Sequence, residues 1–179
     1  MGQPQQAPAG PAVYHVNFHT NRNRPVFEVP EYQALLETAL RDALTEWAIP
    51  CITWIVMSTH VHLMLVAFPD QRLGRILNLI KGRTARRLLE AVPELRGDLE
   101  GHLWQEGYHW AQIKDQRQCA NTIRYIRDNR RHGGLEDKRT ACFLARVAGL
   151  TPGLAGSLPN PDGRSRLAIY TPAFMPFYK

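Results

Sequence analysis

Cysteine, long apolar runs and leader-type patterning are all scarce in this 179-residue chain, and each absence excludes a class of protein. The three cysteines, Cys51, Cys119 and Cys142, are odd in number and form no Cys-x-x-Cys pair. A disulfide framework and a cysteine-based zinc ribbon are therefore not expected, whereas a reducing, cytoplasmic setting is. No apolar run approaches the ~18 residues that cross a bilayer, so no membrane partner is expected. Residues 1–12 lack the basic-then-apolar order of a secretory signal. They are mostly Gln, Pro, Ala and Gly, the composition of a disordered leader. No internal repeat is visible.

What is present is positive charge. Lys and Arg number 22 against 16 Asp and Glu, a formal net charge of +6. That balance favours an anionic partner, most simply nucleic acid, with a surplus of solvated surface cations as the plain alternative. The length suits one domain with a real core, with or without a tail. Past about residue 151 proline and glycine become frequent, which predicts an irregular C-terminal segment.

Periodicity predicts the elements between. Residues 13–19 alternate like a first strand. Residues 31–47 follow as a helix, with Leu35, Leu36, Ala39, Leu40, Ala43, Leu44 and Trp47 on one stripe and Pro30 at the start. Strands are expected at 51–57 and 60–68, and a second helix at about 72–91. Trp104, Tyr108 and Trp110 favour a fourth strand or hairpin within 103–114. A third helix is expected at 115–132, ended by Gly133-Gly134. Hairpin-linked strands with interspersed helices predict an α+β fold: an antiparallel sheet with helices on one face. The other face is then free to carry a site.

Three constellations bear on chemistry. His60-Val61-His62 interrupts an apolar strand, and strand alternation puts both imidazoles on one face. Two such rings are a ready pair of metal ligands; the alternative is two hydrogen-bonded histidines on a half-exposed sheet. With a side-chain amide they would leave coordination positions open for water and phosphate oxygens, which suits Mg²⁺ or Mn²⁺. Tyr125 and Asn129 stand four apart on the third helix and share a face, opposite the apolar side marked by Ala120, Ile123 and Ile126. An activated phenol there could attack phosphorus; spacing alone also fits an ordinary exposed tyrosine. Arg124 and Arg127 flank it and could stabilise the anion. From 71 to 89 there are six basic residues, Arg72, Arg75, Lys81, Arg83, Arg86 and Arg87, and no acid. Like charges at helical spacing repel without a counter-ion, and phosphate would supply one. Trp104, Tyr108 and Trp110 could stack on unpaired bases or could be core.

Together these residues resemble the HUH endonuclease superfamily, in particular the single-tyrosine transposases of insertion sequences and their REP-associated relatives. Residues 14–20 look like the family's first strand and 57–63 like its HUH strand. Lys81-Gly82-Arg83-Thr84-Ala85-Arg86-Arg87 and Leu103-Trp104-Gln105-Glu106-Gly107-Tyr108 resemble recurrent segments. Tyr125-Ile126-Arg127-Asp128-Asn129 resembles the nucleophile helix. Ser58-Thr59 stands where Pro-Asn commonly precedes the histidine pair. The likeness spans residues 13–135, with 136–179 as an extension that resembles nothing named.

The resemblance implies a ferredoxin-like or RRM-like sheet bearing the histidines. It implies a divalent metal held by His60, His62 and Asn129, and Tyr125 as nucleophile. The substrate would be single-stranded or hairpin DNA, cut to a 5′-phosphotyrosine and a free 3′-OH and then transferred. Arg72, Arg75, Lys81, Arg83, Arg86, Arg87 and Arg124 are the expected DNA-backbone contacts. Many members of the family pair as homodimers with active sites shared between subunits and some REP-associated ones act as monomers, so the resemblance leaves both assemblies open; a nucleoid association through DNA is the expected location. Two rivals follow from the same residues: a non-catalytic RRM-like nucleic-acid binder, and a metal hydrolase using water as nucleophile.

Overall fold

The structure, a computed structural model, describes residues 10–132. Most of the expected leader, Cys142, the Gly133-Gly134 helix end and the 136–179 extension lie outside the described residues. The element order is β1 (Ala12–His19), α1 (Pro30–Glu46), β2 (Cys51–Val56), β3 (His60–Ala67), α2 (Leu73–Ala91), the short α3 (Leu95–Asp98), β4 (His109–Ile113) and α4 (Gln116–His132). Every expected element is present. Among the described residues, no helix is long and apolar enough to cross a membrane.

The four strands form one antiparallel sheet in the order β2-β3-β1-β4. A β-α-β-β-α-β chain with this order is the ferredoxin-like arrangement. In β1 and β3 the register sets Asn17 opposite His62 and His19 opposite His60. Directly opposed residues point to the same face, so all four side chains share one surface.

The opposite surface is the main core. Tyr14, Val16 and Phe18 of β1 and Val61, Leu63 and Leu65 of β3 meet Leu36, Leu40 and Leu44 of α1 and Leu73, Ile76, Leu77 and Ile80 of α2. Trp104 packs there too, edge-on to Phe18 with ring centroids 4.7 Å apart, and donates its Nε1–H to Thr84 Oγ1 at 3.0 Å. Strand β4 is correspondingly shorter than the aromatic spacing suggests. Trp104 makes only an isolated bridge to Thr20, because its ring is drawn into the core instead.

Helices α1 and α2 share a face, as expected. Helix α4 adds a second layer on the other face. Its Cys119, Ile123 and Ile126 close over Val13, Ile52, Ile55, Met64, Val66 and Ile113. Both isoleucines are buried, and each contributes roughly 1.5–3 kcal/mol through that burial. The second face is thus divided in two. One half is apolar and lies under α4, and the other half is lined by histidine.

Candidate active site on the histidine face

Alternation in β1 brings His15, Asn17 and His19 to this face, and β3 adds His60 and His62. From β4, His109 opposes Asn17 and joins them. Five of the seven histidines of the chain therefore stand on one half of one sheet face. The His60/His62 pair was legible in the sequence, but His15, His19 and His109 were not assigned a role there. Their signal was the period-two spacing of His15 and His19 in β1, which needed the β1–β3 register to acquire meaning.

The imidazoles form a chain of contacts. His60 Nε2 and His62 Nε2 stand 3.1 Å apart. On its other side, His62 Nδ1 is 3.1 Å from His15 Nε2, and the two rings stack at 5.2 Å. His60 Nδ1 is 3.0 Å from Thr59 Oγ1, so the residue just before it takes hold of its ring. His19 stacks on His60 at 4.8 Å and its Nδ1 lies 2.9 Å from Asn23 Oδ1.

Burial sets the charge of this cluster. His62, only 3% exposed, has its pKa pushed down to about 3, first by burial and then by His60, His15 and His19. Burial also lowers His15, and burial followed by His19 lowers His60. All three rings are neutral at pH 7, with lone pairs available to a cation.

Tyr125 comes to the edge of this cluster. Ile123 and Ile126 face the sheet, so Tyr125 emerges beside the apolar patch, 52% exposed. Its ring is edge-on to His62, centroids 5.5 Å apart, and to His15 at 6.0 Å. Asn129 follows one turn along the same helix face, and its Nδ2 is buried without a hydrogen-bond partner. Asn121, Arg124, Tyr125, Asp128 and Asn129 line a shallow depression on α4. Tyr125 and His62 of one chain meet without a second subunit.

The donor set fits a divalent ion. Two nitrogens held about 2.1 Å from a common octahedral ion, at right angles, would lie about 3.0 Å apart, close to the observed Nε2 separation. Among the described residues, no group of three or more His, Cys, Asp or Glu converges on a metal position. A third protein ligand would then come from outside those four residue types, and a side-chain amide is one candidate. The unpartnered amide of Asn129, whose oxygen and nitrogen can exchange places by a flip, is such a group.

The basic run lies elsewhere. Helix α2 packs on the face opposite the histidines, so its cations stand across the sheet from Tyr125. Lys81 is half-buried and donates to the carbonyls of Gln105 at 2.6 Å and Gly107 at 2.8 Å. Arg83 pairs with Glu46 at 2.7 Å and Arg86 with Glu90 at 2.8 Å, counter-ions from outside the run. Arg72, Arg75 and Arg87 are exposed. Arg124 is exposed beside Tyr125. Of the three aromatics, Trp104 is core and Tyr108 half-buried, while Trp110 is exposed on the α1/α2 side of the sheet.

Comparison with known proteins finds relatives of this chain and of its fold. The IS200-like transposase family matches residues 11–129. The ISDra2 transposase TnpA of Deinococcus radiodurans is 35% identical over 100 residues, spanning 54% of this chain and 71% of that protein. A solved chain from Deinococcus radiodurans R1, also described as a transposase, superimposes with a TM-score of 0.52 at 26% identity, covering 72% of this chain and 97% of the other. A REP-associated tyrosine transposase, solved bound to a REP hairpin, shares the fold with a TM-score of 0.60. It is 16% identical, and the superposition covers 93% of this chain and 99% of that one.

Proposed function

This chain belongs to the IS200-like transposase family, and on that premise we propose that it nicks and rejoins single-stranded DNA through a covalent link to Tyr125. The observation that carries the reading is the approach of the Tyr125 ring to the His62 ring, 5.5 Å between centroids, within one chain. A non-catalytic binder has no need of that juxtaposition, nor of three neutral imidazoles beside it.

The step is an exchange at phosphorus. The phenol oxygen of Tyr125 forms a bond to phosphorus and the bond from phosphorus to the 3′ oxygen breaks. The proton lost by the phenol balances the one gained by that oxygen. The products are a 5′-phosphotyrosine and a free 3′-OH, and attack by another 3′-OH returns the tyrosine. His60 and His62, with Asn129 as third ligand, would hold Mg²⁺ or Mn²⁺. When bound, the ion polarises the scissile phosphate and offsets the charge that develops there. Arg124, on the same helix turn as Tyr125, holds a neighbouring phosphate.

A folded single strand is the substrate class, a reading supported by the REP hairpin on the solved relative. Arg72, Arg75 and Arg87 would contact such a hairpin on the far side of the sheet. Lys81, Arg83 and Arg86 serve less well, because carbonyls or carboxylates already engage them. The Tyr125–His62 contact supports one chain as the nicking unit, with pairing of two chains reserved for exchange between two ends.

The test is incubation with hairpin-tipped single-stranded oligonucleotides and Mn²⁺, followed by a denaturing gel. A covalent adduct that maps to Tyr125 is expected. Cleavage without an adduct would instead assign a water nucleophile, and binding without cleavage would leave only a binder.

A further inference from the structure

We infer that His15 is a positioning residue that fixes which nitrogen of His62 faces the metal position; the inference rests on the metal-dependent reading above. A neutral imidazole carries one proton, and only the nitrogen without it can bind a cation. For His62 to offer Nε2 beside His60 Nε2, its proton must sit on Nδ1. That proton needs an acceptor, because His62 is buried. His15 Nε2, at 3.1 Å from His62 Nδ1, is the acceptor that the geometry supplies. Thr59 Oγ1 stands in the same relation to His60 Nδ1 at 3.0 Å. Each ring of the pair thus has its outer nitrogen engaged and its inner nitrogen turned toward the other.

His15 does this from a different strand. Its Cα partner across the sheet is Met64, so its ring reaches diagonally to lie over that of His62, with planes 25° apart. The same ring takes the edge of Tyr125 at 6.0 Å. One side chain of β1 therefore touches both the metal half and the nucleophile half of the site. Hydrogen-bond partners of metal-bound histidines orient the ring and fix its tautomer, and their loss commonly weakens metal binding by about 10–100-fold.

The acceptor and the ring can be separated by substitution. His15→Gln keeps an amide oxygen at about the reach of Nε2 and discards the ring. His15→Phe keeps a ring between His62 and Tyr125 and discards the acceptor. If His15 positions His62, the Phe variant loses Mn²⁺ affinity by about 10–100-fold, and the Gln variant stays near the wild-type value. A mere packing role predicts the reverse ranking, and that result would overturn the inference.

Nitrogen NMR of the metal-free protein at pH 8 supplies a readout independent of metal and of activity. The proton of His62 is expected on Nδ1 in the wild type and the Gln variant, and shared between nitrogens in the Phe variant. A wild-type His62 protonated on Nε2 refutes the role of His15. Absence of Mn²⁺ binding by the wild type would refute the metal reading, while the tautomer measurement still decides that of His15.

Discussion

The ring of Tyr125 lies edge-on to that of His62, the planes 85° apart, although the two residues come from different elements and 63 positions separate them in the chain. The hydroxyl-bearing ring is half exposed, while the imidazole it approaches is buried. An exposed phenol therefore stands against a desolvated cluster of imidazoles.

Tyr125→Phe removes one exposed hydroxyl and no packing. Unfolding stability should change by less than about 0.5 kcal/mol, the usual range for surface positions. Strand cleavage and adduct formation should fall to background. Thermal melts and a denaturing gel on the same preparation check the pair of outcomes. Retained cleavage would end the assignment of the nucleophile.

Metal removal should separate catalysis from binding. Chelation, or His60→Ala, is expected to abolish nicking while single-stranded DNA is still retained in a gel-shift assay. Mn²⁺ or Mg²⁺ added back should restore the chelated wild type and not the variant. Full nicking in excess chelator would contradict the proposed role of the pair.

Stability should depend on pH in a stated direction. His62 titrates at about 3 in the fold and near 6.5 when unfolded. Between those values the unfolded chain binds more protons than the folded one, so stability falls as pH drops from about 6.5 toward 3. Above about 6.5 this contribution is fully present. His15 and His60, also lowered by burial, act in the same sense. Denaturant midpoints at pH 7.5, 6 and 5 test this. His62→Gln should flatten the profile, and an unchanged slope would mean that His62 is not buried neutral.

Ile126→Ala should loosen α4. The side chain is buried between α4 and the sheet, and truncating such a residue costs about 2–5 kcal/mol. Because Tyr125 rides on that helix, nicking should fall more than the loss of folded protein explains, with Mn²⁺ affinity at the histidine pair less affected. Equal losses in both would show that α4 and the sheet unfold as one unit.

Arg124→Ala should weaken binding to unstructured single strands and lower the salt slope by about 0.7, as expected for one lost phosphate contact. Arg75→Ala, across the sheet, should leave that slope unchanged and reduce it only for hairpin DNA. Affinity measured against salt concentration on both substrates distinguishes the two surfaces.

Much of the layout of this candidate site is legible in the sequence. The alternation of His60 and His62, the i, i+4 pairing of Tyr125 and Asn129, and the polar side of α4 are local periodicities. Lys81 shows where such reading stops. Its charge and helical position suggested a phosphate contact, yet its ammonium caps the carbonyls of a loop about 25 residues away. Arg83 and Arg86 found carboxylates beyond the acid-free run. Trp104 was compatible with base stacking until Phe18 and Phe27 enclosed it.

Strand and helix periods follow from local backbone geometry, so the chain alone sufficed to order its elements and to choose the faces of β3 and α4. Meeting across the sheet is a different kind of fact. The β1–β3 register brought His15 and His19 beside the known pair, and the burial of Ile123 and Ile126 laid α4 over the second face. Both depend on contacts between segments far apart in the chain, where the free energy of covering apolar surface decides the partner and no local pattern specifies it.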